Sequence, residues 1–385
     1  GAVGYNHPYI VSHKDILGEL AINKTTLSDI YNVYYAEFLQ TFNQLAVPKY
    51  LKNAFFIDGG TLAVENSLKV AFDWKKRVNM QKGLKQEGDK VIYFNQAFHG
   101  RSGYTLSLTN TSDPRKTMYF PKFPWFKVDN PKLSFPINDE ILSSVSKKES
   151  ETISDIENII IQNPHDIAAI IIEPIQGEGG DNHFRNEFML KLKSICDESE
   201  ILLIFDEVQT GIGITGKMWA HEHFTVKPDI ISFGKKTQVC GMLAGDRIKE
   251  VQNNVFTESS RINSTFGGNL IDMFRFKLIL EIIQSEKLLD NAIDMGTYLL
   301  NKIDELSNDF PGYITNSRGK GLFCAFDLPS GIERDKLINI LLDKKLIILG
   351  SGDNSVRFRP HLNVKREDID IAIEKIIDAT RSMLN

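Results

Sequence analysis

The sequence predicts an α/β protein, with a mostly parallel sheet packed between helices and a smaller α+β part. Three observations carry that expectation. Runs such as Ile167–Ile172 and Ile201–Phe205 are apolar without alternation, as strands buried on both faces are. Amphipathic helical stretches separate such runs between Ala54 and about Gly245, the order that builds βαβ units. The chain of 385 residues also exceeds what one hydrophobic core usually covers, so two domains sharing a cleft are expected, a large one over 46–268 and a small one that includes 269–385.

In order, the pattern gives a strand at Ala54–Ile57, a helix from Leu62 to about Gln81, and strands at Lys90–Phe94 and Ile167–Ile172. A helix over Asn186–Ser199 and strands at Ile201–Phe205 and Asp229–Phe233 follow. Asp246–Ser264 is polar and reads as a long loop. Beyond it the pattern gives helices at about 270–286 and 287–308, a strand at Leu322–Leu328 and a helix at Arg334–Lys344. Strands at Leu346–Leu349 and Ser355–Arg359 precede a last helix over Arg366–Leu384.

Composition excludes several classes. A hydrophobic share of 42%, a charged share of 25% and a formal net charge of −5 give no footing for nucleic acid or an anionic membrane. The basic cluster Lys75-Lys76-Arg77 with Lys82 and Lys85 reads as a solvated helix face. No apolar run approaches the ~20 residues that span a bilayer. Cys196, Cys240 and Cys324 lie far apart without ligand spacing, which argues against a metal site or a disulfide framework and points to a reducing cytoplasm.

Candidate chemistry sits at the ends of two strands. Ile201–Phe205 runs into Asp206-Glu207, and Ile230–Phe233 runs into Gly234-Lys235. Ligands of open α/β sheets gather at the carboxyl ends of parallel strands, so this acid and this amine can face one ligand. Pyridoxal phosphate needs such a pair: a lysine to hold its aldehyde, and a carboxylate to keep its pyridine nitrogen protonated. Gly59-Gly60-Thr61 follows a strand and opens a helix, where backbone N–H groups can hold a phosphate. A dinucleotide string, Gly211-x-Gly213-x-x-Gly216, is also present, but it follows a late strand and lacks the surrounding βαβ unit.

Leu203–Gly213 and Asp229–Cys240 resemble the signature of the class III (omega) aminotransferases, pyridoxal-phosphate enzymes of fold type I, and the likeness runs from about Ala2 to the C-terminus. It implies a mostly parallel sheet of the seven-stranded type in the large domain, a small domain in which residues 1–45 join 269–385, and an N-terminal arm ahead of the Gly4–Pro8 stretch. It also implies pyridoxal 5′-phosphate as cofactor, with Lys235 rather than Lys236 bound to it, Asp206 at the pyridine nitrogen and Gln209 near the ring oxygen or the substrate. Gly60 and Thr61 would take the phosphate, Phe98 would stack on the ring, and Thr265 would reach the phosphate of a second subunit across a homodimer interface. His99 reads as structural.

The same resemblance assigns carboxylate recognition to Arg101 and Arg357, since a guanidinium presents a planar fork. Arg357 would grip the α-carboxylate of 2-oxoglutarate and Arg101 the distal one. Glu178 would pair with Arg357 while the amine donor is bound and swing aside for the acceptor, the flanking glycines of Gln176–Gly180 permitting the motion; Asn263 is a further substrate contact. The strings at 233–241, 263–269 and 356–362 favour L-lysine as the donor, reacting through its ε-amine, with ornithine and 4-aminobutyrate as alternatives. A catalytically silent pyridoxal-phosphate protein is the alternative of another class.

Overall fold

The computed structural model describes residues 1–384 of the chain. Its strands, in chain order, are β1 (Asn53–Ile57), β2 (Lys90–Phe94), β3 (Phe126–Val128), β4 (Ile167–Ile172), β5 (Ile175–Gln176), β6 (Asn182–His183) and β7 (Leu202–Asp206). They continue as β8 (Ile230–Phe233), β9 (Cys240–Ala244), β10 (Thr315–Lys320), β11 (Phe323–Asp327), β12 (Leu349–Ser351) and β13 (Ser355–Phe358). A seven-stranded sheet has the order β1-β9-β8-β7-β4-β2-β3. All its neighbours are parallel except where β9 runs against β1 and β8.

Every residue of β4, β7, β8 and β9 is buried, because helices cover both faces. Gly60–Gln81 packs Val64, Leu68 and Trp74 on one side, and Asn186–Glu198 packs Phe188, Met189 and Leu192 on the other. Leu270–Ser285 is apolar nearly all round and buries Met273, Phe276, Leu280 and Ile283, as a helix enclosed by protein must. Phe38 and Phe42 of the helix Val33–Leu45 pack against its Phe276. An antiparallel sheet of order β10-β11-β13-β12 lies in the C-terminal part.

Several expectations need correction. The strand expected over Leu346–Leu349 begins only at Leu349, because the preceding helix exits through Lys345 at φ +59° and the Leu346 N–H donates back to the Leu341 carbonyl. The dinucleotide string opens no helix: Gly211–Gly216 continues in turns toward the 3-10 segment Ala220–His223.

Lys75 is not on a solvated face. It is 1% exposed and donates to the Glu200 carbonyl at 2.8 Å, while Arg77 bonds Asp73 at 2.9 Å on the same helix. Burial pushes the Lys75 amine down to about 8 from 10.5. Between those values the unfolded chain binds a proton that the native protein does not, so this group makes stability rise with pH and costs most below about 8. Urea midpoints of Lys75→Met across that window are expected to give a shallower slope, by up to one proton; an unchanged slope would mean that the amine stays charged in the folded protein.

Candidate active site

Register brings the acid and the amine together. Asp206 on β7 pairs with Ser232 on β8, and the Ser232 hydroxyl meets that of Ser67 at 2.8 Å, tying both strands to the helix Gly60–Gln81. Lys235 follows in the tight connection to β9 with φ +55°, a left-handed conformation that costs a non-glycine residue on the order of 1 kcal/mol. The pairing of Phe233 with Gly241 holds it there. Its side chain reaches a cavity from a wall otherwise made of protein, and desolvation lowers the amine below its usual range, opposed by attraction to Asp206.

That cavity, of about 410 Å³, is lined by Lys235, Asp206, Gly60, Thr61, Phe98, Arg101 and Gln209. Asp206 is buried, with Oδ1 accepting the Val208 N–H at 3.0 Å and Oδ2 standing 2.8 Å from His99 Nδ1. Among the described residues His99 Nε2 is buried without a hydrogen-bond partner, while Nδ1 is committed to Asp206. Gly60 opens its helix beneath Val208, where a Cβ would lie 2.9 Å from the Val208 side chain. The Thr61 hydroxyl accepts the Arg101 N–H at 3.2 Å.

These residues fit pyridoxal phosphate on the donor set alone. A buried carboxylate suits a protonated ring nitrogen, a helix N-terminus with a threonine suits a phosphate, and a desolvated lysine suits an aldehyde.

A second cavity of about 500 Å³ shares Lys235, Phe98, Arg101 and Gln209 with the first and adds Glu178 and Arg357. Arg357 Nη2 lies 3.2 Å from Glu178 Oε2, and Glu178 Oε1 lies 2.6 Å from Lys116 Nζ. Arg101 makes no ion pair among the described residues. The Gln209 side-chain oxygen Oε1 accepts from Arg359 at 3.1 Å, and Arg359 grips Asp181 through two hydrogen bonds of 2.6 and 2.8 Å. Asn263 and Thr265 are exposed and line neither cavity; the Thr265 carbonyl instead accepts from Ser28 at 2.8 Å.

The glycines around Glu178 have another purpose than mobility. A Cβ at Gly177 would stand 2.3 Å from the Gln209 amide, and one at Gly179 would stand 2.2 Å from the Gln96 carbonyl. The backbone is pinned as well, since Gly352 N–H donates to the Glu178 carbonyl at 2.8 Å. Any swing of Glu178 therefore belongs to its side chain.

Sequence reasoning missed Glu173. Its two carboxylate oxygens accept the Phe98 and Gly177 N–H groups, both at 3.0 Å, so it joins the ring-facing segment to the Glu178 loop. Burial pushes its carboxyl up to about 7, with Asp206 adding repulsion. The signal was present, an acid directly after the apolar run Ile167–Ile172, as Asp206 follows its own. Lys236 was set aside in favour of Lys235 and does not stand idle: its amine donates to the Gln209 carbonyl, and burial takes it down to about 7.

Comparison with known proteins follows the same lines. The family described as Aminotransferase class-III matches residues 1–380. L-lysine-epsilon aminotransferase of Mycobacterium tuberculosis is 47% identical over 382 residues, covering 98% of this chain and 84% of that protein. A solved lysine aminotransferase from M. tuberculosis superposes with a TM-score of 0.96 at 47% identity, over 99% of this chain and 88% of that one. Human mitochondrial 4-aminobutyrate aminotransferase is 31% identical over 382 residues, covering 94% of this chain and 75% of that protein.

Proposed function

We propose, from the premise that this chain belongs to the class III aminotransferases, that it transfers the ε-amino group of L-lysine to 2-oxoglutarate. The products are 2-aminoadipate 6-semialdehyde, which can cyclise, and L-glutamate. Pyridoxal 5′-phosphate is the cofactor, and when bound it supplies an electron sink for the carbon that carries the reacting amine.

The chain's own residues do the rest. Lys235 holds the cofactor between turnovers and, once displaced by substrate, moves a proton at the reacting carbon; its lowered basicity suits both tasks. Asp206 keeps the proton on the pyridine nitrogen, and Phe98 covers the ring. The N-terminus of the helix starting at Gly60, with Thr61, receives the phosphate.

The observation that carries the terminal-amine reading is the Glu178–Arg357 ion pair beside Lys235, with Arg101 left without an acid among the described residues, and the likeness to lysine aminotransferases supports L-lysine among such donors. A donor reacting through a terminal amine brings its carboxylate to Arg101 and needs Arg357 neutralised. An acceptor with two carboxylates needs both arginines, so Glu178 must yield. The two arrangements alternate, which requires ping-pong turnover.

Two further parts belong to this reading. The working unit is a homodimer: Thr265 lies outside the cavity, and Ile30, Tyr31, Val33 and Phe266 in the segments around it are exposed, a surface suited to a second copy. The enzyme works in the cytoplasm, in keeping with three buried, unpaired thiols.

Initial rates with each donor test the substrate. One methylene is worth roughly 10–200-fold in a fitted pocket, so kcat/KM for L-lysine is expected to exceed that for L-ornithine by at least ~10-fold, with 4-aminobutyrate lower still. Equal or faster turnover of ornithine would overturn the assignment while leaving the reaction type intact.

A further inference from the structure

We propose that Lys116 is a positioning residue that takes over the Glu178 carboxylate when this leaves Arg357, and so sets the balance between donor and dicarboxylate acceptor. The inference rests on the alternating role of Glu178 given above. It begins from how that carboxylate is shared. One oxygen lies 2.6 Å from the Lys116 amine and the other 3.2 Å from the Arg357 guanidinium. Among the described residues these are the two cations within ion-pair distance of Glu178.

Space allows the transfer. The pair forms a common boundary between the cavity at Lys235 and a second one of about 670 Å³, lined also by Ser112, Arg334, Ser351 and Gly352. Because the backbone at Glu178 is fixed by Gly352 and by the close packing of Gly177 and Gly179, a change of side-chain rotamer is the available motion. Rotation away from Arg357 carries the carboxylate toward open volume on the side where Lys116 already holds one of its oxygens.

Lys116 is well placed to wait there. It ends the 3-10 turn Pro114–Lys116, whose start is capped by Asp113 accepting the Arg115 N–H at 3.1 Å. The other cations lining that cavity, Arg115 and Arg334, already pair with Asp113 and Asp335, so without Lys116 a Glu178 that leaves Arg357 would lose its pairing, the closed pair would be favoured and the acceptor would bind less well. Both side chains are partly exposed, at 31% and 23%, which screens the pair and keeps the effect modest.

The test compares Lys116→Met, Lys116→Arg and Glu178→Gln in the holoenzyme, with glutarate as an unreactive dicarboxylate. Lys116→Met is expected to raise the glutarate inhibition constant, and to lower kcat/KM for 2-oxoglutarate ~5-fold more than for L-lysine. Lys116→Arg should bring that ratio back to within about twofold. In the Glu178→Gln background, Lys116→Met should add no further change in the ratio, since the partner it acts through is gone. Equal losses for donor and acceptor in Lys116→Met, or a ratio change that persists beside Glu178→Gln, would overturn the proposal. Should Glu178→Gln alone leave the donor-to-acceptor ratio unchanged, the alternation itself fails and the role of Lys116 falls with it.

Discussion

Lys235→Ala is expected to lower kcat by at least ~10⁴-fold, as loss of a nucleophile that also carries the proton does, and to abolish the visible absorbance of the lysine-bound cofactor. The amine follows a buried strand, and desolvation lowers its basicity below the usual lysine range. The substitution should leave the fold intact, because alanine at φ +55° bears about the same backbone cost as lysine and the turn into β9 is fixed by Phe233 and Gly241. Circular dichroism and absorbance of the purified holoprotein check this directly. Lys236→Met is the informative companion: its amine is committed to the Gln209 carbonyl, so that variant should keep the visible band. A band lost in Lys236→Met and retained in Lys235→Ala would reverse the assignment.

Asp206→Asn should cost on the order of 10³ in kcat with little loss of stability, since the charge is removed and the shape kept. Asparagine can still accept the Val208 N–H. Its amide nitrogen would then face His99 Nδ1, and the imidazole can answer by moving its proton to Nε2, which has no partner in the fold. What cannot be recovered is the negative charge that holds a proton on the pyridine nitrogen. Pre-steady-state measurement of the donor half-reaction reads the effect, and a loss below tenfold would show that the ring nitrogen is served by another group. Glu173 is the nearby acid to examine in that event, because burial weakens it as an acid, to a pKa of about 7.

The strands that build the site were legible because burial on both faces leaves a continuous apolar run. β2 and β4 were found with their bounds, and Asp206 and Lys235 followed from the apolar runs that form β7 and β8. β9 was not, since Cys240-Gly241 interrupts the pattern and the strand's burial comes from lying between β1 and β8 rather than from its composition. The helix Asp139–Gln162 was also unread, although Asn138 caps it and Val145, Thr152, Ile153 and Ile156 trace its buried stripe. Lys75 was misjudged for a different reason. Its partners are carbonyls more than 120 residues away, and three consecutive basic residues carry no sign of which one turns inward. Glu173 carried the same strand-end signal as Asp206, but its partner Phe98 lies 75 residues away and left no local sign of the contact. The pair of Arg357 with Glu178 was expected from the family resemblance, whereas that of Arg359 with Asp181 joins residues 178 apart and left no local sign.

The pairing of β1 with β9 reaches beyond catalysis to biosynthesis. Asn53 meets Ala244 across 191 residues, and β1 leads directly into the Gly59-Gly60 turn. A nascent polypeptide leaving the ribosome thus carries the Gly59-Gly60 turn early but cannot brace it until the hairpin of β8 and β9 has emerged, so β1 waits as an unpaired edge while most of the large domain is made.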